Sequence, residues 1–320
     1  MTLLTRRTVI AARTEATAYE RESLVNADSN FNVMDVVAVA NIEQQERQAA
    51  DGFSNRASTT GLRSGTVTFK QDFHGDGAGG VPAWASTFLP ACAIVDVNDE
   101  GIFRPVTDTP FEALPGRLDR GVRTLTIDVY EHGRRKTISG AMGNAKFVHP
   151  TGKNSYVEFT FQGSWQEVED ATILTPTYPP QLPLRFAAAS LDLGGFTPCV
   201  AELSFDMGNK VELRECQKNS NASGYRGAFV GDRKIGGALD PEAQLVDTYD
   251  AYGDWLNSVE RAMVVELDDD VDKVTFGVPR FQINNIGNGD RKGLRTDPLT
   301  WQANRVAQAD DEFFIAFSAA

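Results

Sequence analysis

Apolar and polar residues alternate along many short segments of the sequence, and this pattern restricts the chain to a fold rich in β-strands. Val67 and Phe69 alternate with polar neighbours, and so do Leu125, Ile127 and Val129. A period of two puts apolar side chains on one face of a strand and polar side chains on the other. Antiparallel sheets with one face on a core and one toward water have this pattern. We therefore predict an all-β fold.

Only short helical segments interrupt the strands. The segment "PAWASTFL", residues 82–89, has Pro82 at a first-turn position, and Pro90 follows its last residue. The second segment is "AYGDWLNSVE", residues 251–260. Both predict short helices that flank a sheet.

A glycine-rich stretch after one strand matches the dinucleotide-binding pattern G-x-G-x-x-G at Gly75, Gly77 and Gly80. The preceding strand alternates, whereas the first strand of a dinucleotide-binding unit is apolar on both faces. Asp76 also lies where a pyrophosphate would approach. We interpret the stretch as a long mobile loop. A nucleotide-dependent enzyme is the alternative, and binding of NAD or ATP would support it.

Other motifs for chemistry are weak. The three cysteines lack close pair spacing, and each histidine stands beside Gly or Pro without an assignable nucleophile. The acidic segment "LDDDVDK", residues 267–273, lacks the glycine and the closing glutamate of a calcium loop. We therefore predict no enzyme activity, no metal and no cofactor.

The formal net charge of −13 is shared by both halves of the chain. An acidic surface repels phosphate backbones, so we expect nucleic acid to slide past the protein and not to be gripped. No apolar run reaches the roughly 20 residues that cross a bilayer, and no membrane association is expected.

The order of elements repeats along the chain. The Pro-rich stretch "TPTYPPQLP", residues 175–183, is typical of a linker. On each side of it stand two strands, a short helix that carries a tryptophan, and further strands in the same order. We predict an internal duplication, with residues 1–174 as a first domain that includes an N-terminal arm and residues 184–320 as a second.

Several segments in this order resemble tail tube proteins of siphovirus-type long-tailed bacteriophages. The resemblance extends over most of the chain, and its segments are "RTEATAY", "GLRSGTVTFKQDFHGDGAGGVPAWASTFLPAC", "TLTIDVYEHGRRKTISGAMGNAKFVH", "VEFTFQGSWQEVEDATILTPTYPP", "ELSFDMGNKVELRE" and "DRKIGGALDPE".

The resemblance implies a β-sandwich with a short flanking helix, in which one sheet joins those of neighbouring copies into a closed barrel around a channel. Rings of this kind stack into a tube that assembles around a tape-measure protein and later conducts DNA. Tail terminator and distal tail proteins would cap its ends, and the protein would be assembled in the bacterial cytoplasm and reside in the virion tail. Most members resemble one such domain and form six-membered rings. A duplicated chain could form the ring from three copies, and a ring of six stays an alternative.

Two sets of residues are candidates for this function. The polar faces of the alternating strands predict the channel lining, and outer-surface positions are the alternative; these residues are Asp128, Glu158, Thr160, Gln162, Glu202, Ser204 and Asp206. The glycine loop is the first candidate for contacts between rings, and the N-terminal arm, residues 1–34, is the second; the loop residues are Gly75, Asp76, Gly77, Gly79 and Gly80.

A β-rich viral adhesin or carbohydrate-binding module is the competing function. Such a protein would cluster exposed aromatic residues in loops. Trp84, Trp165, Trp255 and Trp301 lie within predicted helices or at strand ends, where we expect them to pack in the core.

Overall fold

The computed structural model describes residue 4, residues 6–108, residue 110, and residues 121–187, 189–218 and 222–320.

Twenty strands and two α-helices make up this part of the chain. The strands are β1 (Thr8–Thr14), β2 (Val33–Gln48), β3 (Asn55–Asp72), β4 (Ile94–Val95), β5 (Ile102–Pro105), β6 (Leu125–Glu131), β7 (Arg134–Pro150), β8 (Tyr156–Trp165), β9 (Glu169–Asp170), β10 (Ser190–Leu193), β11 (Glu202–Asp206), β12 (Asn209–Glu215), β13 (Tyr225–Arg233), β14 (Gly236–Leu239), β15 (Glu260–Asp268), β16 (Asp272–Ile286), β17 (Gly289–Arg291), β18 (Leu294–Thr296), β19 (Leu299–Ala303) and β20 (Phe314–Ala319). The helices are α1 (Ala83–Phe88) and α2 (Ala251–Leu256), and 3-10 turns cover Asn26–Ser29 and Leu89–Cys92.

Sixteen of the strands form one antiparallel sheet. Its main path runs β2-β3-β8-β7-β11-β14-β19-β16-β20-β5-β4, and β1, β6, β9, β10 and β15 pair at its sides. Strands account for 53% of the residues and helices for 7%, which confirms the predicted all-β class. Within the described ranges the sheet does not close into a barrel, because β2 and β4 stand at opposite ends of the path.

The pairing order is the same in the two halves of the chain. The first half pairs in the order β1-β6-β7-β8-β3-β2, and the second pairs in the order β10-β15-β16-β19-β14-β11. α1 follows β3, and α2 follows β14. Even a β-bulge recurs, between Leu125 and Ile127 on β6 and between Arg261 and Met263 on β15. Bulges are specific features of a sheet, so the two halves agree in local geometry as well as in strand order.

The two series of strands pair directly at β7 and β11, and β20 of the second half also pairs with β5 of the first. β11, the outermost strand of the second series, pairs antiparallel with the end of β7, from Glu202 opposite Pro150 to Asp206 opposite Lys146. The Pro-rich stretch runs between the halves without regular structure. It is tied to the first half, where the Pro179 carbonyl accepts a hydrogen bond from Asn32 at 3.2 Å.

Turn chemistry accounts for the tight connection between β6 and β7. His132 and Gly133 both have positive φ, 47° and 108°, as a two-residue hairpin turn requires. Residues with positive φ at both central positions match the right-handed twist of the flanking strands. The turn therefore fixes which face of β7 meets the core.

One core spans both halves. Phe73 and Phe147 from the first half contact Phe276 from the second, with ring centroids 5.5 and 5.4 Å apart. α1 covers this core with Trp84 and Phe88, which are buried. Aromatic rings at such distances contribute about 0.5–1.5 kcal/mol per pair beyond burial.

The two helices lie close to their predicted positions. Pro82 caps α1, but Pro90 lies inside the 3-10 turn that continues it, because proline is compatible with the first turn of a helix. α2 ends at Leu256, earlier than predicted. Trp255 is 38% exposed, so the expectation that it packs in the core is wrong, whereas the other three tryptophans are buried.

A polar sheet face and an open strand edge

The sheet brings residues from both halves of the chain onto one polar face. On β8, Glu158 and Thr160 pair with Lys146 and Asn144 of β7. Lys146 in turn pairs with Asp206 of β11. Successive residues of a strand point to opposite sides, so these cross-strand rows share a face. Six of the seven predicted lining residues lie on it: Glu158, Thr160, Gln162, Glu202, Ser204 and Asp206. Their channel role stays a prediction. Ser204 is only 8% exposed, so the expectation that it faces water is wrong for the single chain.

The charge of this face is mixed. The Glu158 carboxylate lies 4.0 Å from Lys70 Nζ and 3.9 Å from Lys146 Nζ. Lys70 also pairs with Asp35 at 3.1 Å. These pairs are solvent-exposed and contribute little to stability. Two lysines among the acids mean that the face is less acidic than the composition suggested.

Asp128 is not an exposed residue of this face. It is 1% exposed, its Oδ1 accepts a hydrogen bond of 2.5 Å from Thr137 Oγ1, and Arg135 lies 3.7 Å away. Burial raises the pKa of this carboxyl, although the hydrogen bond and the guanidinium oppose the rise. The prediction that Asp128 faces water is therefore wrong. Alternation along β6 assigned Asp128 to the opposite face from Ile127 and Val129, but packing from other segments covers this part of the sheet.

The glycine loop binds a carboxylate from its own chain. The backbone N–H groups of Gly77 and Gly79 donate to Asp272 at 2.9 and 2.8 Å. Asp76 accepts from Gly80 N at 2.7 Å, and this hydrogen bond lowers the pKa of Asp76. A cluster of N–H groups that could hold a phosphate is thus occupied by Asp272, which is 4% exposed.

This packing leaves little room for loop movement. A Cβ at Gly75 would lie 2.2 Å from the Asp272 side chain. A Cβ at Gly79 would lie 2.5 Å from the Ala319 backbone. The mobile loop that the sequence suggested is folded onto β16 and β20, and its predicted contact with another ring stays a prediction.

The N-terminal arm is also held by the fold from β1 onward. β1 pairs with β6 along its whole length. Glu15, which is 2% exposed, accepts hydrogen bonds from the hydroxyls of Thr124 and Thr126 and from the N–H groups of Tyr19 and Gly140, at 2.5–2.9 Å. Burial raises the pKa of Glu15 despite these donors. Residues 1–3 and 5 lie outside the described residues, so the inter-ring role of the arm stays a prediction.

β2 stands at one end of the main path of the sheet. It pairs with β3 on one side, and among the described residues no strand pairs with its other side. On that open side the Ala38 carbonyl accepts a hydrogen bond from Lys136 Nζ at 3.2 Å. Lysines that cover strand edges protect them against pairing with other chains.

Apolar side chains of β2 are exposed on the polar face. Val37 and Val39 are 52% and 49% exposed, and Met34 is 44% exposed. Val36 and Ala38, which alternate with them, pack against the core. Sequence reasoning did not identify this open edge. The available signal was the run "VVAVA", which is apolar on both faces of the strand although the residues that follow it are mostly polar.

The described residues contain no group of three or more His, Cys, Asp or Glu side chains arranged to hold a metal ion. The described helices are all too short or too polar to cross a membrane. No protein-family model matches the sequence, and a search of curated proteins finds no significant match.

Proposed function

We propose that this chain is a structural protein that polymerises into closed rings, and that the rings stack into a bacteriophage tail tube. Each chain contributes two tandem tube domains, residues 1–174 and 184–320, and three chains form a ring of six pseudo-equivalent domains. The observation that carries the proposal is the junction between β7 and β11, where two series of strands with the same pairing order join side by side.

The junction supplies a rule for adding further copies. β11 is the outermost strand of the second series, and it pairs with β7 of the first. β2 holds the corresponding position in the first series, and its outer side has no strand partner among the described residues. Pairing β2 with another chain in the same way extends the sheet. Closure of such a sheet removes its open edges, which would otherwise cause aggregation.

The polar face would then line the channel. Its side chains are threonine, glutamine and paired charges, and the whole chain carries a net charge of −13. Among the described residues the lysines of this wall pair with carboxylates, which favours passage of DNA without tight binding. In this function the protein assembles around a tape-measure protein in the bacterial cytoplasm, is capped by tail terminator and distal tail proteins, and belongs to the virion tail.

Electron microscopy of negatively stained protein tests the proposal. We expect hollow tubes or rings with three-fold symmetry and a pseudo-six-fold outline. Ala38→Pro on β2 should abolish them, because residue 38 presents its backbone to the open side and proline has no N–H to donate to a joining strand. Val168→Pro is the matched control, since Val168 is 46% exposed and lies outside β2. Particles that stay solitary under all salt and nucleating conditions would contradict the tube, and tubes formed by Ala38→Pro would contradict the edge-joining route.

One observation favours the alternative of an adhesin or carbohydrate-binding module. Tyr252 and Trp255 of α2 are 47% and 38% exposed, and their spacing of three residues puts them on the same side of the helix. Aromatic surfaces of this kind can stack on sugar rings. Two results together would support this function. Oligosaccharides would quench the tryptophan fluorescence of the wild-type protein but not of Trp255→Ala, and the wild-type protein would not assemble.

A further inference from the structure

The repeated pairing order assigns each residue of the first series a counterpart in the second. The sequence "FTFQG" in β8 corresponds to "LTWQA" in β19. In β8, Thr160 pairs with Asn144 of β7, and in β19, Thr300 pairs with Asn285 of β16. The two hairpins therefore have the same register at this row.

The counterpart of the β7 docking site lies just beyond β16. The pairs Ile286–Leu299 and Gly289–Thr296 follow one register, so β17 and β18 continue the hairpin of β16 and β19. Counting along this hairpin, residues 287–291 correspond to residues 146–150 of β7. β15 ends its pairing with β16 at Gln282, and within the described ranges no strand pairs with residues 287–291 on that side.

The counterpart of β11 lies in β2. Ser204 pairs with Ala238 of β14, as Val37 pairs with Thr68 of β3. Residues 37–39 of β2 therefore correspond to residues 204–206, which lie in the strand that fills the β7 site within the chain. A β-bulge between Met34 and Val37 ends this correspondence on the other side. Lys136 and Ala38, which are joined by a hydrogen bond, correspond to Phe276 and Phe205 of the second series. These two phenylalanines are also in contact, with ring centroids 4.9 Å apart.

We propose that residues 37–39 of one copy pair antiparallel with residues 287–289 of the next copy. The inference rests on the proposed function and fixes its contact: Val39 lies opposite Gly287, as Asp206 lies opposite Lys146 within the chain. The same register places Val37 opposite Gly289, as Ser204 lies opposite Val148 within the chain. The Ala38 carbonyl then bonds to the neighbouring strand in place of Lys136.

A groove at this position fits the occupant. A cavity of about 520 Å³ opens beside Gly287, with Asn285, Pro298 and Thr300 along its wall. Gly287 contributes no side chain, whereas Lys146 occupies the corresponding internal position. The exposed side chain of Val39 from the next copy is apolar and reaches this groove in the proposed register.

Disulfide trapping tests the register. Val39→Cys and Gly287→Cys are introduced together, with Cys199 and Cys216 changed to serine to remove the more accessible thiols. Gly287 tolerates the change, because a Cβ there would lie 3.5 Å from Pro298, an ordinary contact. Directly paired residues have Cα atoms about 4.5–5.5 Å apart, within the range for a disulfide. We expect mild oxidation of assembled protein to give a covalent ladder that ends at the trimer on a non-reducing gel.

Two matched pairs of substitutions make the result interpretable. Lys146→Cys with Asp206→Cys joins the internal junction and should form a disulfide within one chain at any concentration. Ile42→Cys with Gly287→Cys is displaced by three residues, roughly 10 Å, and should not cross-link.

Assembly seen by microscopy without cross-links for Val39 and Gly287, or with equal cross-links for Ile42, would overturn the register while leaving the tube intact. Failure of the wild-type protein to assemble under any condition would overturn both proposals.

Discussion

The buried side chain of His149 should make the protein less stable at low pH, and the size of this loss can be calculated. It lies in β7 opposite Leu203, where the two halves join, and is fully buried. Neither ring nitrogen has a hydrogen-bond partner among the described residues. Phe276 and Phe73 surround the ring, with centroids 4.9 and 5.4 Å away. Burial lowers the pKa of His149 to about 3.

The sign follows from the direction of this shift. In the unfolded chain the histidine has a pKa of about 6.5, so between about pH 6.5 and pH 3 the unfolded state binds the proton that the folded state excludes. The contribution of the neutral ring to stability is complete above about pH 6.5 and decreases as the pH falls. One pH unit corresponds to about 1.4 kcal/mol, which gives a loss of about 2 kcal/mol at pH 5.

His149→Phe removes this dependence and keeps an aromatic side chain in the cluster. Urea unfolding of both proteins at pH 7.5 and pH 5, below the concentration at which assembly begins, measures the change. Carboxyl groups titrate in both proteins, so their contributions to the change in stability cancel in the difference. The variant should lose about 2 kcal/mol less than the wild type between the two pH values. An equal loss in both proteins would refute the reasoning, because it would mean that the folded state accommodates the proton.

Two further predictions concern buried carboxylates. Asp272→Ala should lower the free energy of unfolding by about 2 kcal/mol and speed hydrogen exchange of the Gly77 and Gly79 amides, since these N–H groups lose their acceptor, and unchanged exchange would argue against the contact. Glu15→Gln should lower the free energy of unfolding by about 2–3 kcal/mol in a urea titration, because an amide N–H then opposes one of four donors, and a more stable variant would contradict this network.

The sequence predicted those parts of the fold that depend on local periodicity. Alternation in β8 placed Glu158, Thr160 and Gln162 on one face, and the structure has them there. The first short helix was predicted from Pro82 at a first-turn position, because proline starts a helix without losing a hydrogen bond.

Features that depend on distant segments could not be predicted this way. Asp128 has the parity of an exposed residue but is covered by other segments, and parity says nothing about what packs on a face. Asp272 reaches the glycine loop from nearly 200 residues away in the sequence, so the loop seemed free. The exposed valines of β2 are apolar like core residues, and only the sheet order shows that they stand at an edge.

The shared core determines how the two halves can contribute to an assembly. Phe147 from the first half and Phe205 from the second both contact Phe276, with centroids 5.4 and 4.9 Å apart, and β7 pairs with β11 directly above them. Because this aromatic cluster is buried and close-packed, the angle between the halves is fixed when the chain folds. Under the proposed function, the curvature of the ring would be set partly inside each chain at β7–β11 and partly between chains at the open edge of β2. Only the second contact would then be left for assembly, and three associations would close a ring for which single domains would need six.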